Sequence, residues 1–327
     1  MVLVLRKSWT MKAVVGNPEA LYLAVLSCLL TLLPVFVPIG GGLLTVLAPF
    51  PLIVLAVKYP WRYTAGLLGL EGGLMLLGGR LQPLFFLSQC GLVVFATAGA
   101  LRRGWSISRT LAGSLVVPLG VGALLLAVYS TLVQSPMPAL VTRYFDNVVY
   151  VSQEYVRAVE QLQEGEDEQL TALVEALPQL VLAVFPALVV IGHLLTNLLN
   201  YILVRRYCQR SQPPLALDPD DLTGWRASDY LVWVFLASGA ALLVPLDLVR
   251  TLGVNVLLVT LAIYLLQGLA IVLFWGRRLP FSLGVQCLVL AVVFLIAGPL
   301  CVVGCTAAGL FDLWVDFRRQ RHHPMLP

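Results

Sequence analysis

Several polar side chains in this sequence stand inside long apolar runs. Glu71 lies in GLLGLEGGLMLLGG, with Gly66, Gly69, Gly72 and Gly73 around it. An ionisable group inside a membrane segment is costly and usually faces protein or water, where it serves as a proton site, a cation partner or a ligand contact. The glycines remove bulk, so a backbone or a ligand can approach the carboxylate. The plainer alternative is a neutral acid hydrogen-bonded to a neighbouring helix.

His193, Asn197 and Asn200, in IGHLLTNLLNYILVRR, recur at four- and three-residue steps on one helix face. Such a face bonds another helix or lines a polar cavity. Asn200 is close to the segment end and reads as interfacial. Gln89, Asn255, Gln267 and Gln286 are single amides that read mostly as bonds between helices. Asp312 and Asp316, four apart in GLFDLWVDFRRQR, read as a partly paired helix end anchored by Trp314, and as candidates for an interaction. Pro49-Phe50-Pro51 is expected to break a helical ladder and free carbonyls at membrane depth, where transporters place substrate sites.

Cys301 and Cys305 are one turn apart and could share a soft metal. No His or further Cys is spaced to complete that site, so neither a metal nor another cofactor is expected. His193 has no second His on a nearby helix. GxxxxGK[ST], GxSxG, HExxH and CxxC are all absent. Isolated carboxylates define no reaction, so an enzyme is not expected. Active transport would draw on an ion gradient or a partner protein.

Apolar segments position these groups, at 20–38, 42–57, 63–79, 83–101, 110–133, 177–204, 229–249, 253–275, 281–297 and 299–316. A span needs about 20 residues, and several segments are close to the lower limit of about 17. Hydrophobic residues make up 59% of the 327-residue chain and charged residues 12%, against roughly 45–50% and 25% in soluble domains. So few charges could not cover a water-soluble domain of this size. The expected fold is all-α, a polytopic transmembrane bundle of about ten spans. The net charge of +4 is too small to point to nucleic acid. The lipid bilayer is the expected partner.

Charge placement orients the bundle. Basic groups at Arg6/Lys7/Lys12, Lys58/Arg62, Arg102/Arg103/Arg109, Arg205/Arg206/Arg210, Arg277/Arg278 and Arg318/Arg319/Arg321 occupy every second connection. The positive-inside rule then places both termini in the cytoplasm. Residues 281–318 as one helix would run to roughly 57 Å against a core of ~30 Å. Gly298-Pro299 is therefore expected to turn the chain, with a kinked helix as the alternative.

Three parts are expected. Residues 1–205 form a six-segment bundle with an acidic, helical, extracytoplasmic insert at 134–176. Residues 206–227, with Pro213-Pro214 and Asp218-Pro219-Asp220-Asp221, form a cytoplasmic linker. Residues 228–327 form a second bundle of three to four spans with a basic tail. The N-terminus lacks a signal-peptide cleavage site, so the first segment is read as retained.

VNVLLVTLAIYLLQGLAIVLFW at 254–275, GLFDLWVDFRRQR at 309–321 and NLLNYILVRRY at 197–207 resemble the YybS-like family of bacterial membrane proteins, which has no assigned function. That resemblance spans nearly the whole chain and implies a multi-pass protein of the bacterial cytoplasmic (inner) membrane. The first six segments also resemble the substrate-binding S components of energy-coupling-factor transporters: a Gly-rich turn, a Pro-containing second helix and a Gly-rich third. S components bind a vitamin or metal between helices and dock on a coupling subunit, in some cases through AxxxA, which Ala20 and Ala24 match.

The functional expectation is a transporter-like component that holds a small solute through Glu71, Gln89, His193 and Asn197 and takes energy from a membrane partner or coupling subunit. The alternative is a scaffold or cell-envelope assembly factor that acts through its acidic outer helices and basic inner tail.

Overall fold

The computed structural model describes residues 16–37, 44–78, 82–135, 168–211, 222–278, 280 and 283–318. Regular structure among them is helical: α1 (Pro18–Phe36), α2 (Pro49–Lys58), α3 (Trp61–Leu74), α4 (Gln82–Arg102), α5 (Ile107–Val133), α6 (Glu168–Arg210), α7 (Leu231–Ala241), α8 (Asp247–Gly276) and α9 (Leu283–Val315). Among the described residues, five stretches are long and apolar enough to cross a membrane: Gln82–Arg102, Ile107–Val133, Leu180–Arg210, Asp247–Gly276 and Leu295–Val315. Their outer faces carry bare apolar side chains, with Leu132 76% and Leu295 87% exposed. Continuous exposure of this kind suits lipid rather than water. Residues 136–167 of the expected insert, 212–221 of the linker, the glycine turn at 39–42, the tail beyond 318 and the first 15 residues lie outside the described residues.

Close packing divides the chain into two units, one of residues 1–144 and 192–219, the other of 145–191 and 220–327. Helix α6 contributes residues to both.

In the first unit α2 is the centre. Leu52, Ile53, Val54 and Leu55 are all 0% exposed, so the helix is covered on every side. It packs on α1, α3 and α4. Pro49 is the first residue of α2 and Pro51 lies in its first turn. First-turn N–H groups have no intrahelical acceptor, so these prolines start a helix where a mid-helix break was expected. Asn17 caps α1 by accepting from the Glu19 amide at 2.9 Å, followed by Pro18. Helix α4 contains a π-helical turn, Leu87–Gly91, a local widening found often at functional sites.

In the second unit the expected segment 229–249 is not one helix. Helix α7 has 11 residues, about 17 Å of rise against a ~30 Å core. Three-residue backbone bonds at Leu242, Leu243 and Val244 close it. Pro245 then disfavours helical geometry in the residue before it. Gly253 admits the returning α8, since a Cβ there would come within 2.9 Å of Ala241 Cβ and 3.1 Å of the Ser238 carbonyl oxygen. Helix α9 breaks at Ala297 (φ −123°, ψ 34°), one residue before Gly298-Pro299. Cys301 Sγ reaches the Val293 carbonyl at 3.8 Å. In a straight helix these residues are ~12 Å apart along the axis, so the chain bends sharply there.

Candidate functional site

Glu71 is 0% exposed. It projects from α3 towards α1, where Thr31 Oγ1 donates to Oε2 at 3.3 Å and Cys28 Sγ approaches Oε1 at 3.7 Å. The Ser27 hydroxyl adjoins the same carboxylate. Residues 27, 28 and 31 occupy one face of α1, which gives Glu71 a wall of hydroxyl and thiol groups. No Lys, Arg or His is paired with it among the described residues. Of the surrounding glycines, Gly72 faces the Leu87 side chain, at 3.5 Å from a built Cβ. Gly66, Gly69 and Gly73 meet nothing within 4 Å. These three glycines lie on the exposed face of α3, whereas Glu71 shares the buried face with Thr64, Leu68 and Gly72.

The other candidates sit elsewhere in the first unit. Gln89, in the π-helical turn, faces Gly122 of α5, its Nε2 being 2.6 Å from where a Cβ would stand. Its Oε1 is buried without a hydrogen-bond partner among the described residues. Asn197 donates from Nδ2 to the Ser114 carbonyl of α5 at 2.9 Å, and its Oδ1 is likewise unpaired. Ser114 and Gly122 are eight residues apart, ~12 Å along α5, so Gln89 and Asn197 meet it at different levels. His193 is half-buried with no hydrogen-bond partner among the described residues. Asn200, read as interfacial, is fully buried and donates to Val46 and Thr196 carbonyls at 2.7 and 2.8 Å. Ala20 and Ala24 are 0% and 9% exposed. No hydrogen bond among the described residues joins Glu71 to Gln89, His193 or Asn197.

In the second unit Asp312 is the hub of a clasp. Its Oδ2 accepts from Arg318 Nη2 at 2.6 Å and from Gln267 Nε2 at 3.0 Å, and its Oδ1 accepts from the Phe317 amide at 3.0 Å. Arg226 donates to the Asp312 carbonyl at 2.7 Å. Arg318 also donates to the Thr223 and Trp225 carbonyls at 2.9 and 2.8 Å. The aspartate is thus an interior group, where an interfacial helix end was expected. Asp316 lies just past α9 with a left-handed φ of 45° and is 9% exposed. Trp314, 61% exposed, suits an interfacial anchor. Among the described residues, no three His, Cys, Asp or Glu side chains group closely enough to hold a metal ion.

Residues 25–313 match the family described as "Predicted membrane protein (DUF2232)", a stretch that holds Glu71, Asp312 and most of both units. The chain belongs to this family. No curated protein and no solved structure matches it. It is a multi-pass membrane protein.

Two arrangements in this DUF2232 protein escaped sequence reasoning. The first surrounds Glu19, one residue before the apolar stretch of α1. Lys58 and the Tyr207 hydroxyl donate to its Oε1, the latter at 2.9 Å, and the Tyr59 hydroxyl donates to Oε2 at 3.0 Å. Burial alone would raise its pKa, but hydrogen bonds from Lys58 and Tyr207, with the Lys58 charge, hold it below the ordinary Glu value. Burial, and then the Glu19 charge, push the Tyr59 phenol up. Arg102 caps α2 by donating to the Tyr59 carbonyl at 2.7 Å.

The second arrangement repairs a helix. Pro186 interrupts the backbone ladder of α6. The Asn255 side chain inserts there, accepting from the Ala187 amide and donating to the Ala183 carbonyl, both at 2.8 Å. Those backbone groups would bond each other in an unbroken helix. The proline was visible as a signal, but its filler is 68 residues away from Ala187 in sequence.

Proposed function

We propose that this protein is a transporter-like membrane component that holds a small, donor-rich solute, such as an amine or a cation, beside Glu71. The observation carrying this reading is a fully buried carboxylate bonded only by hydroxyl and thiol neighbours, with no cationic side chain paired to it among the described residues. A buried acid without a cationic partner is costly and is normally retained for a task. The unpaired acceptor Gln89 Oε1, on the residue before Cys90, favours solutes with N–H or O–H donors. His193 is the second residue of the first unit's share of α6 and has no hydrogen-bond partner among the described residues.

In this reading the chain crosses a bacterial cytoplasmic membrane about ten times with both termini inside, supported by the alternation of basic connections. It performs no catalysis and takes energy from a partner or an ion gradient. Ala20 and Ala24 are enclosed by their own unit, so a coupling partner would dock on another face.

Extraction of small molecules from protein purified out of native membranes, compared with Glu71→Gln purified alongside, tests the proposal. A donor-rich solute that accompanies the wild type and is depleted from Glu71→Gln is expected. Equal solute in both preparations, or none in either, would count against a binding role and favour the scaffold alternative.

A further inference from the structure

The first unit holds a half-open cleft of about 500 Å³ where α6 ends. Arg206, Arg210, Tyr207 and Ser211 line it together with Leu203 and Phe50. Arg206 and Arg210 are one helical turn apart in the last turns of an apolar span, at the depth where headgroups meet hydrocarbon. Both are exposed, and neither has a hydrogen bond or ion pair among the described residues.

Glu19 also borders the cleft, but it bonds neither arginine. Its two oxygens are taken by Lys58, Tyr207 and Tyr59. Two cations four residues apart repel each other on a helix. Among the described residues, Glu19 is the acidic group that borders the pair, and its charge is matched by Lys58.

We propose that this cleft binds a phosphate-bearing anion, with Arg206 and Arg210 as its donors and Phe50 and Leu203 as a wall for the attached carbon chain. A carboxylate offers two oxygens and is satisfied by one guanidinium fork, whereas a phosphate offers enough acceptors for two. Phe50 is fixed for this role by its edge-on contact with the Tyr207 ring, at 5.9 Å between centroids. Two sources share the chemistry: an anionic phospholipid headgroup and a soluble phosphate ester. Basic pockets between membrane helices are known to take the former. This inference is independent of Glu71.

The test follows thermal unfolding of the full chain in two arms. One adds glycerol phosphate in detergent. The other raises the fraction of phosphatidylglycerol in phosphatidylcholine nanodiscs. A saturable rise in Tm is expected, with half-saturation shifted about tenfold or more by Arg206→Gln/Arg210→Gln. Arg62→Gln, which removes an exposed cation lying over Trp61, should leave the response unchanged. A response confined to the nanodiscs identifies a lipid headgroup, and one in detergent identifies a soluble ester. Because both arginines are exposed and unpaired, the double variant should keep the ligand-free Tm. No saturable response in either arm, or one that survives the double substitution, overturns the proposal.

Discussion

Arg318 Nη2 lies 2.6 Å from Asp312 Oδ2, with the two side chains 1% and 0% exposed. A fully desolvated pair is costly to break because the survivor is left charged and buried. Asp312→Ala should therefore destabilise the protein by about 3–5 kcal/mol, read as a large drop in Tm in detergent. Asp312→Asn should cost less, since it can still accept from Arg318 and from the Phe317 amide. Asp312→Leu/Arg318→Met should recover much of the loss, and additive losses would show that the two residues do not act as a pair.

The crossing of α8 and α9 depends on two glycines. A Cβ on Gly268 would overlap the Cys305 carbonyl, and one on Gly309 would overlap the Tyr264 carbonyl. Backbone cannot move aside as a flexible side chain can. Gly268→Ala and Gly309→Ala should each cost about 1–3 kcal/mol or more. Gly69→Ala, where a Cβ meets nothing within 4 Å, should instead stabilise by about 0.5–1 kcal/mol through helix propensity. Thermal melts of the three variants check the ordering.

Asn255 acts as a surrogate peptide group at Pro186. Asn255→Leu should leave the Ala187 amide and the Ala183 carbonyl unpaired, at a cost of about 1–3 kcal/mol. Hydrogen exchange should then quicken at Ala187 ahead of neighbouring amides. Uniform exchange across the segment would argue against a local repair.

Glu19 gives a pH signature. Its folded-state pKa is depressed below the ordinary 4.5, so its contribution is fully present above that value. It is lost as pH falls through the lower folded value. Tm measured across this acid range should fall less steeply for Glu19→Gln than for the wild type. Parallel curves would show that the carboxylate is not linked to folding.

The sequence reveals what bilayer thickness and charge dictate. Long apolar runs such as 110–133 and 253–275 appear as α5 and α8 because a membrane helix must satisfy its own backbone. The break near Gly298-Pro299 was readable because proline acts locally. Pairings between distant residues were not. Nothing near Gly268 marks it as the crossing point of two backbones, and nothing near Asp312 announces Arg226 or the carbonyls of Thr223 and Trp225. Glu71 was conspicuous as a lone acid, but its partners Cys28 and Thr31 were ordinary members of an apolar helix. The short α7 was hidden because its apolar residues run on through the turn at 242–246 into the next helix.

The claim that Glu71 is kept for a ligand is tested most directly by thermal unfolding of wild type and Glu71→Met, with and without the solute extracted from native membranes. Polar groups kept for function cost stability, and their removal is neutral or stabilising. The account predicts that Glu71→Met keeps or raises the solute-free Tm and loses the solute-dependent shift. A Tm several degrees lower, or a shift equal to that of the wild type, would contradict it and leave Glu71 as a structural bond between α1 and α3.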